Sequence, residues 1–152
     1  QLFAERLAKP LNMKRSDFGN KAVALPAGGA SSTASDYMNF LIMILNKGQF
    51  SGKQILSAAS VAEMQKNLVT DQVRIAYSPA EAGLTIGYAL GEWVMEKGAE
   101  GSRTVSSPGL FGSFPWVDKE KGYCGILLCM SIKPEGRHER YQELKKLVDS
   151  LL

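Results

Sequence analysis

Residues 104–132 read TVSSPGLFGSFPWVDKEKGYCGILLCMSI and decide the fold. Their centre, DKEKG at 118–122, is typical of a hairpin turn, because charged residues and a glycine separate two apolar runs. We therefore predict one strand over Thr104 to Val117 and a second over Tyr123 to Ile132. The second run is almost entirely apolar, which is typical of a strand buried on both faces.

The sheet is predicted to continue upstream of this hairpin and to be covered downstream of it. Leu84 to Met95 is rich in aromatic and β-branched residues, which favours a third strand. Apolar residues recur at helical spacing between Arg140 and Leu152 and predict a closing helix on the sheet. The expected fold class is α+β, with an antiparallel sheet of about three strands and a C-terminal helix packed on it.

Residues 1–83 are predicted to hold helices and loops, and residues 84–152 the sheet and its closing helix. Thr33 and Asp36 have the spacing of a capping box, so a helix should begin there. The members of its apolar stripe are Tyr37, Phe40, Leu41, Ile44 and Leu45. Lys47-Gly48 should end this helix, and Ser57 should cap a second one that runs to about Asn67.

Composition excludes several classes of protein. The chain has 152 residues, 45% of them hydrophobic and 22% charged, and a formal net charge of +3, as in an ordinary globular protein. It has no run of five or six like charges, so a nucleic-acid partner is not expected. It has no apolar stretch near the ~20 residues that a membrane span requires.

The histidine and the two cysteines predict neither a metal site nor a cofactor. Cys124 and Cys129 lack the usual metal-ligand spacing, and on one strand they would lie roughly 17 Å apart on opposite faces. They are therefore predicted to be unbridged, small buried hydrophobic residues. His138 is predicted to be an exposed residue at the start of the last helix.

An order of short motifs runs through the chain. AGGASSTASDY at 27–37 leads into the first helix, GYALG follows at 87–91, and SPGLFGSF at 107–114 precedes the last strands. This order and spacing resemble the C-terminal part of the serine β-lactamase-related family, from Leu2 to the final helix. That family includes class C β-lactamases, penicillin-binding DD-peptidases and related esterases. The resemblance implies a partial β-lactamase/transpeptidase-like fold and acyl transfer on small ester or amide substrates.

Two of the three motifs that build the family's active site have no functional counterpart here. The first, S-x-x-K, supplies the nucleophilic serine and the lysine that activates it. No serine of this chain is followed by lysine three residues later. The second motif is matched by Tyr37-Met38-Asn39, but inside a helix, and we interpret it as a chance match with Tyr37 in the core. We therefore predict no catalytic residue in this chain and no activity of the chain alone.

The third motif, K-T-G or H-x-G on an edge strand beside the cleft, corresponds to Ser107-Pro108-Gly109. The resemblance implies that Ser107, Pro108, Gly109 and Leu110 contact substrate, with the Leu110 N–H as a donor to the oxyanion hole. Ser107 stands where the family has lysine or histidine, so no fixed cation awaits a substrate carboxylate. An esterase, a peptidase of unusual specificity or an inactive relative therefore fits better than a true β-lactamase.

The resemblance carries further expectations, and two alternatives stay open. The parent protein is expected in the periplasm or at the cell surface, and the isolated segment should expose a sheet edge that invites self-association. One alternative is a stand-alone binding module that uses Phe111, Phe114 and Trp116 as a docking surface. The other is complementation, in which a separate chain supplies the N-terminal half.

Overall fold

The computed structural model describes residues 1–19, 23–73, 87–98, 101–130 and 135–152. Its elements, in chain order, are a π-helical turn (Ala4–Ala8), α1 (Ala34–Leu45), β1 (Gln49–Phe50), β2 (Lys53–Gln54), α2 (Ala58–Met64), β3 (Gly87–Tyr88), β4 (Trp93–Gly98), β5 (Gly101–Ser106), β6 (Phe114–Asp118), β7 (Tyr123–Leu127) and α3 (Arg137–Asp149). Strands β3 to β7 form one antiparallel sheet in sequence order, and β1 and β2 form a separate hairpin. The α+β class, the antiparallel sheet and the C-terminal helix are thus confirmed.

The sheet has five described strands rather than about three, because two predicted strands each divide. The first, Leu84 to Met95, is broken by a tight turn in which the Ala89 N–H donates to the Glu92 carbonyl at 2.8 Å. Residues 84–86 of that prediction lie outside the described residues. The second, Thr104 to Val117, is interrupted by a loop over residues 107–113 that connects β5 to β6.

The predicted strand Tyr123 to Ile132 is wrong in its length and in its burial. β7 ends at Leu127, and all five of its residues are half-buried, because in the described sheet it pairs only with β6. Met130 is 89% exposed, and residues 131 and 132 lie outside the described residues.

The cysteines are unbridged, as predicted, but their surroundings differ from the prediction. The Cys124 thiol packs against Met38 of α1, with the two sulfur atoms 3.7 Å apart. Cys129 is exposed rather than buried, because β7 has already ended before it is reached.

The predicted turn at 118–122 is confirmed, and β6 and β7 pair in register around it. The Lys121 N–H donates to the Asp118 carboxylate at 3.0 Å, which closes the turn. Gly125 faces Trp116 across this hairpin, and a Cβ atom at Gly125 would lie 2.3 Å from the indole ring. Glycine at this position therefore lets the indole lie flat across β7.

Helix α1 begins at its predicted cap and packs on β6 and β7. The Thr33 hydroxyl accepts from the Asp36 N–H at 3.3 Å. The Asp36 carboxylate accepts from the Arg15 N–H at 2.7 Å and from the Ser16 hydroxyl at 2.8 Å, and so ties the preceding connection to the helix. The core on this face contains Leu11, Leu41, Met43, Ile44, Val61, Val105 and Val117.

The second helix is capped by Ser57, as predicted, but it ends at Met64 instead of Asn67. Asn67 lies beyond the helix because its side-chain oxygen accepts from the Tyr88 N–H of β3 at 3.2 Å. This bond fixes the end of α2 against the edge of the sheet.

Helix α3 covers the opposite face of the sheet and begins at Arg137, three residues before the predicted start. Its Tyr141 ring stacks on Phe114 with 4.4 Å between centroids, and Phe114 stacks in turn on Trp116 at 5.2 Å. These three buried aromatic residues form the core between the sheet and α3.

Candidate active-site loop

The four residues of the predicted substrate contact, Ser107, Pro108, Gly109 and Leu110, lie together in the loop that leaves β5. Ser107 is exposed and directly follows the last residue of the strand. β5 is flanked by β4 and β6, so the expected edge-strand position is wrong. Pro108 needs no N–H here because it lies beyond the paired part of the strand.

The loop is closed by hydrogen bonds between its own backbone groups. The Gly109 N–H donates to the Ser113 carbonyl at 2.9 Å, and the Gly112 N–H donates to the Gly109 carbonyl at 3.0 Å. A Cβ atom at Gly109 would lie 2.2 Å from the Ser113 hydroxyl oxygen, so the loop closes tightly around a glycine. The backbone conformation of this loop is therefore specified by its own sequence.

Leu110 has an exposed side chain, and its two backbone polar groups differ in their hydrogen bonding. Its side chain is 77% exposed, and within the described part of the chain no acceptor binds its N–H. Its carbonyl accepts a hydrogen bond from the Arg137 guanidinium at 3.0 Å. An unpartnered N–H on a loop whose carbonyl is fixed has the character of a preorganised anion donor.

Helix α3 fixes the loop at two carbonyls, which sequence reasoning did not foresee. Arg137, which is 3% exposed, binds the Leu110 carbonyl, and the Tyr141 hydroxyl donates to the Gly112 carbonyl. The Cys129 thiol lies 2.9 Å from the same Gly112 oxygen. The only available signal was the spacing of Arg137 and Tyr141, four residues apart on one helix face. Between them, His138 is half-buried rather than exposed.

A cavity of about 260 Å³ lies beside the loop, on the α1 face of the sheet. Ser107 lines it together with Glu92 of the turn before β4 and Tyr37 of α1. Burial, followed by the charge of Glu92, raises the pKa of Tyr37 to about 12, so its hydroxyl stays protonated at neutral pH. Tyr37 packs against the core, as predicted, and it also faces this cavity.

The Asn39 amide of the Y-x-N match donates to the Leu11 carbonyl at 2.9 Å. It therefore ties α1 to the segment that precedes it. Phe114 and Trp116, offered above as part of a docking surface, are buried against α3, and Phe111 of that set is exposed.

The described residues contain neither a candidate metal site nor a candidate membrane span. No group of three or more histidine, cysteine, aspartate or glutamate side chains in the described ranges could hold a metal ion. Among the helices of the described residues, none is long and apolar enough to cross a membrane.

Known proteins place this fold in one family. The sequence model named Beta-lactamase matches residues 1–149. A crystal structure of a candidate β-lactamase from Bacteroides dorei superposes with a TM-score of 0.74 at 33% identity, over 85% of this chain and 42% of that one. The chain therefore belongs to the β-lactamase family.

Another solved structure has the same fold, and the other similar proteins are longer than this chain. A penicillin-binding protein homologue from Caulobacter crescentus superposes with a TM-score of 0.58 at 13% identity, over 90% of this chain and 49% of its own. Two Mycobacterium tuberculosis proteins, Protein Rv1367c and MT1414, are 37% identical over 90 residues. These residues are 59% of this chain and 22% of each relative, so the chain spans less than half the length of the relatives that it matches.

Proposed function

We propose that residues 1–152 are the C-terminal segment of a serine hydrolase domain that transfers acyl groups from small ester or amide substrates. Membership of the β-lactamase family supports the serine-hydrolase fold. The observation that carries the substrate role is the unpartnered Leu110 N–H, on a loop that α3 holds at two carbonyls. In this proposal the Leu110 N–H stabilises the oxyanion, and Ser107, Pro108 and Gly109 line the cleft beside it.

The nucleophile and its base are proposed to come from an S-x-x-K segment, which this sequence does not contain. The chain alone is therefore inactive in this proposal. Because Ser107 is neutral, the substrate is an ester or an amide without a carboxylate that needs a fixed cation. Location in the periplasm or at the cell surface is part of the same proposal, by analogy with the family.

The test of inactivity uses the chain as it stands. Purified chain should hydrolyse neither a p-nitrophenyl ester nor a chromogenic cephalosporin above the rate in buffer. Turnover that scales with the concentration of the chain, and that persists through further purification, would overturn this part of the proposal.

The test of the oxyanion donor uses the complete reading frame that encodes the chain. We expect an S-x-x-K and a Y-x-N encoded in frame before Gln1, and ester hydrolysis by the complete product. Leu110→Pro removes the N–H and should lower kcat by about 10²- to 10³-fold, whereas Leu110→Ala keeps the N–H and should lose far less. Equal losses in the two variants, or a native start at Gln1, would contradict the proposal.

Self-association of the isolated chain is a further part of this proposal. Within the described sheet, β7 is hydrogen-bonded to β6 on one side only, and such an edge can pair with another strand. Light scattering of the purified chain should show a mass that rises with concentration. A constant monomer mass up to millimolar concentration would contradict it.

A further inference from the structure

The cavity beside the loop combines aromatic walls with a carboxylate. Tyr37 and Phe40 of α1 stack with 6.0 Å between ring centroids, and both line the cavity together with Trp116. Glu92 enters from the turn between β3 and β4, and Ser107 lies at the rim. A volume of about 260 Å³ is slightly below that of sites for drug-sized ligands, so the space suits a small group.

The carboxylate of Glu92 is not satisfied by its neighbours. Its Oε2 atom is buried, and no hydrogen-bond partner is present among the described residues. The amide of Gln65, a residue that is itself 3% exposed, is near enough to lower the pKa of the carboxylate, yet its Nε2 atom has no partner of good hydrogen-bond geometry among the described residues. A buried acceptor without a donor costs free energy, and a positively charged donor would remove that cost.

Among the described residues, Lys119 is a cation whose charge acts on Glu92. The Lys119 ammonium donates to the Ser102 hydroxyl at 2.7 Å, and Ser102 donates to the Gln65 carbonyl. Burial raises the pKa of Glu92, and the Gln65 amide and the charge of Lys119 lower it only in part.

We propose that this cavity binds a small organic ammonium group, with Glu92 as the counter-ion and the rings of Tyr37 and Phe40 as its walls. A carboxylate gives the ammonium a charge-assisted hydrogen bond, and aromatic faces attract the same cation. Since Ser107 belongs to both the cavity and the loop, the proposed hydrolase would accept acyl substrates that carry an amine. This last clause rests on the proposed function, whereas the binding site itself does not.

The experiment measures binding to the 152-residue chain by amide chemical shifts in two-dimensional NMR, at constant ionic strength. The probes are benzylammonium chloride, benzyl alcohol and sodium benzoate, which share a ring and differ in charge. Benzylammonium should shift the amides of Tyr37, Glu92 and Ser107 and bind at least about tenfold more tightly than the alcohol. Benzoate should not saturate these shifts.

Two variants separate the pocket from general charge. Glu92→Gln keeps the shape and removes the charge, and it should weaken benzylammonium binding by about tenfold while leaving benzyl alcohol unchanged. Glu63→Gln makes the same change at an exposed carboxylate of α2, whose ion pair with Lys66 lies outside the cavity, and binding should not change. Equal affinity for all three probes, or equal affinity in both variants, overturns the proposal.

The outcomes remain decisive if the Glu92 variant does not fold. The three probes on the unsubstituted chain then decide, because a site with a counter-ion and aromatic walls prefers benzylammonium to benzyl alcohol, whereas an uncharged apolar cavity does not. If the complete product does not hydrolyse esters but the chain binds benzylammonium, the binding site stands and the proposed hydrolase fails. If the complete product hydrolyses esters but the chain shows no preference for ammonium, the hydrolase stands and the binding site fails.

Discussion

Two carboxylates with buried oxygen atoms lie on opposite sides of the same sheet, and their surroundings are opposite as well. Asp118 is fully buried on the α3 side, where the Lys145 ammonium lies 3.0 Å away and the Lys121 N–H donates to it. Glu92 faces the α1 side, and its buried oxygen has no partner among the described residues. Burial alone would raise the pKa of both groups. Hydrogen bonds and nearby cations reverse that effect at Asp118, whose pKa is lowered, but not at Glu92.

The comparison distinguishes a buried carboxylate that has partners and stabilises the fold, Asp118, from one that lacks them, Glu92. Around Asp118, Lys145 also binds Asp149 at 3.0 Å, Asp149 accepts from the Tyr123 hydroxyl at 2.7 Å, and Arg103 lies within ion-pair distance. This network joins β5, β6, β7 and α3. A carboxylate with such partners holds elements together, whereas one without them is available to a ligand.

The largest effect on stability is expected when Asp118 loses its cation, Lys145. Lys145→Met leaves the more distant Arg103 as the one cation beside buried Asp118 among the described residues, so the free energy of unfolding should fall by about 3–5 kcal/mol. Urea denaturation followed by circular dichroism measures this. Lys146→Met, at an exposed position of the same helix, should change it by less than about 0.5 kcal/mol. Similar small losses in both variants would show that the network does not stabilise the fold.

A smaller effect is expected at the anchor of the loop. Tyr141→Phe keeps the ring stacked on Phe114 but removes the hydroxyl that binds the Gly112 carbonyl, so the free energy of unfolding should fall by about 1 kcal/mol. The amides of residues 109–113 should exchange faster with deuterium. Tyr88→Phe, on a half-exposed ring of β3, serves as the control and should change neither quantity. Unchanged exchange in Tyr141→Phe would argue that α3 does not hold the loop.

The third effect is a difference in the dependence of stability on pH, and its sign distinguishes the two sides. Asp149, with a pKa of about 2, stabilises the fold above its unfolded value of about 3.9, and this contribution is lost as the pH falls toward 2. Glu92 has a raised pKa, so its contribution is present below about 4.3 and is lost as the pH rises through the folded value.

Denaturation at pH 3 to 8 checks that sign. Glu92→Gln should flatten the decline on the high-pH side, and Asp149→Asn should flatten the loss on the acid side. Glu63→Gln should leave the curve as it is. If the stability curve of Glu92→Gln runs parallel to that of the unsubstituted chain, Glu92 and Asp149 do not have opposite effects on the pH dependence of stability.

Local signals were sufficient for the helix caps and the hairpin turn. Thr33, Ser57 and the DKEKG turn each act through bonds to residues a few positions away, so the sequence alone specifies them. The breaks within the two long predicted strands were missed. The turn at residues 89–92 and the loop at residues 107–113 contain apolar residues such as Leu90 and Leu110, so the apolar pattern continues through them.

The candidate site likewise contains residues that the sequence identified and residues that it did not. The resemblance to a family pointed to Ser107, Pro108, Gly109 and Leu110, which do share one loop. Glu92, Arg137 and Tyr141 were not found, because their importance depends on which elements the fold brings beside that loop. Arg137 and Tyr141 meet its carbonyls from 27 and 29 residues away.

That separation has a consequence for the order in which the molecule forms. The backbone of the loop can close through its own hydrogen bonds, but its Leu110 and Gly112 carbonyls have their partners on a helix that is synthesised later. The loop is synthesised before Arg137 and Tyr141, and it would remain loosely held until α3 docks. Formation of the candidate oxyanion donor is thus a late event in folding, tied to the docking of α3.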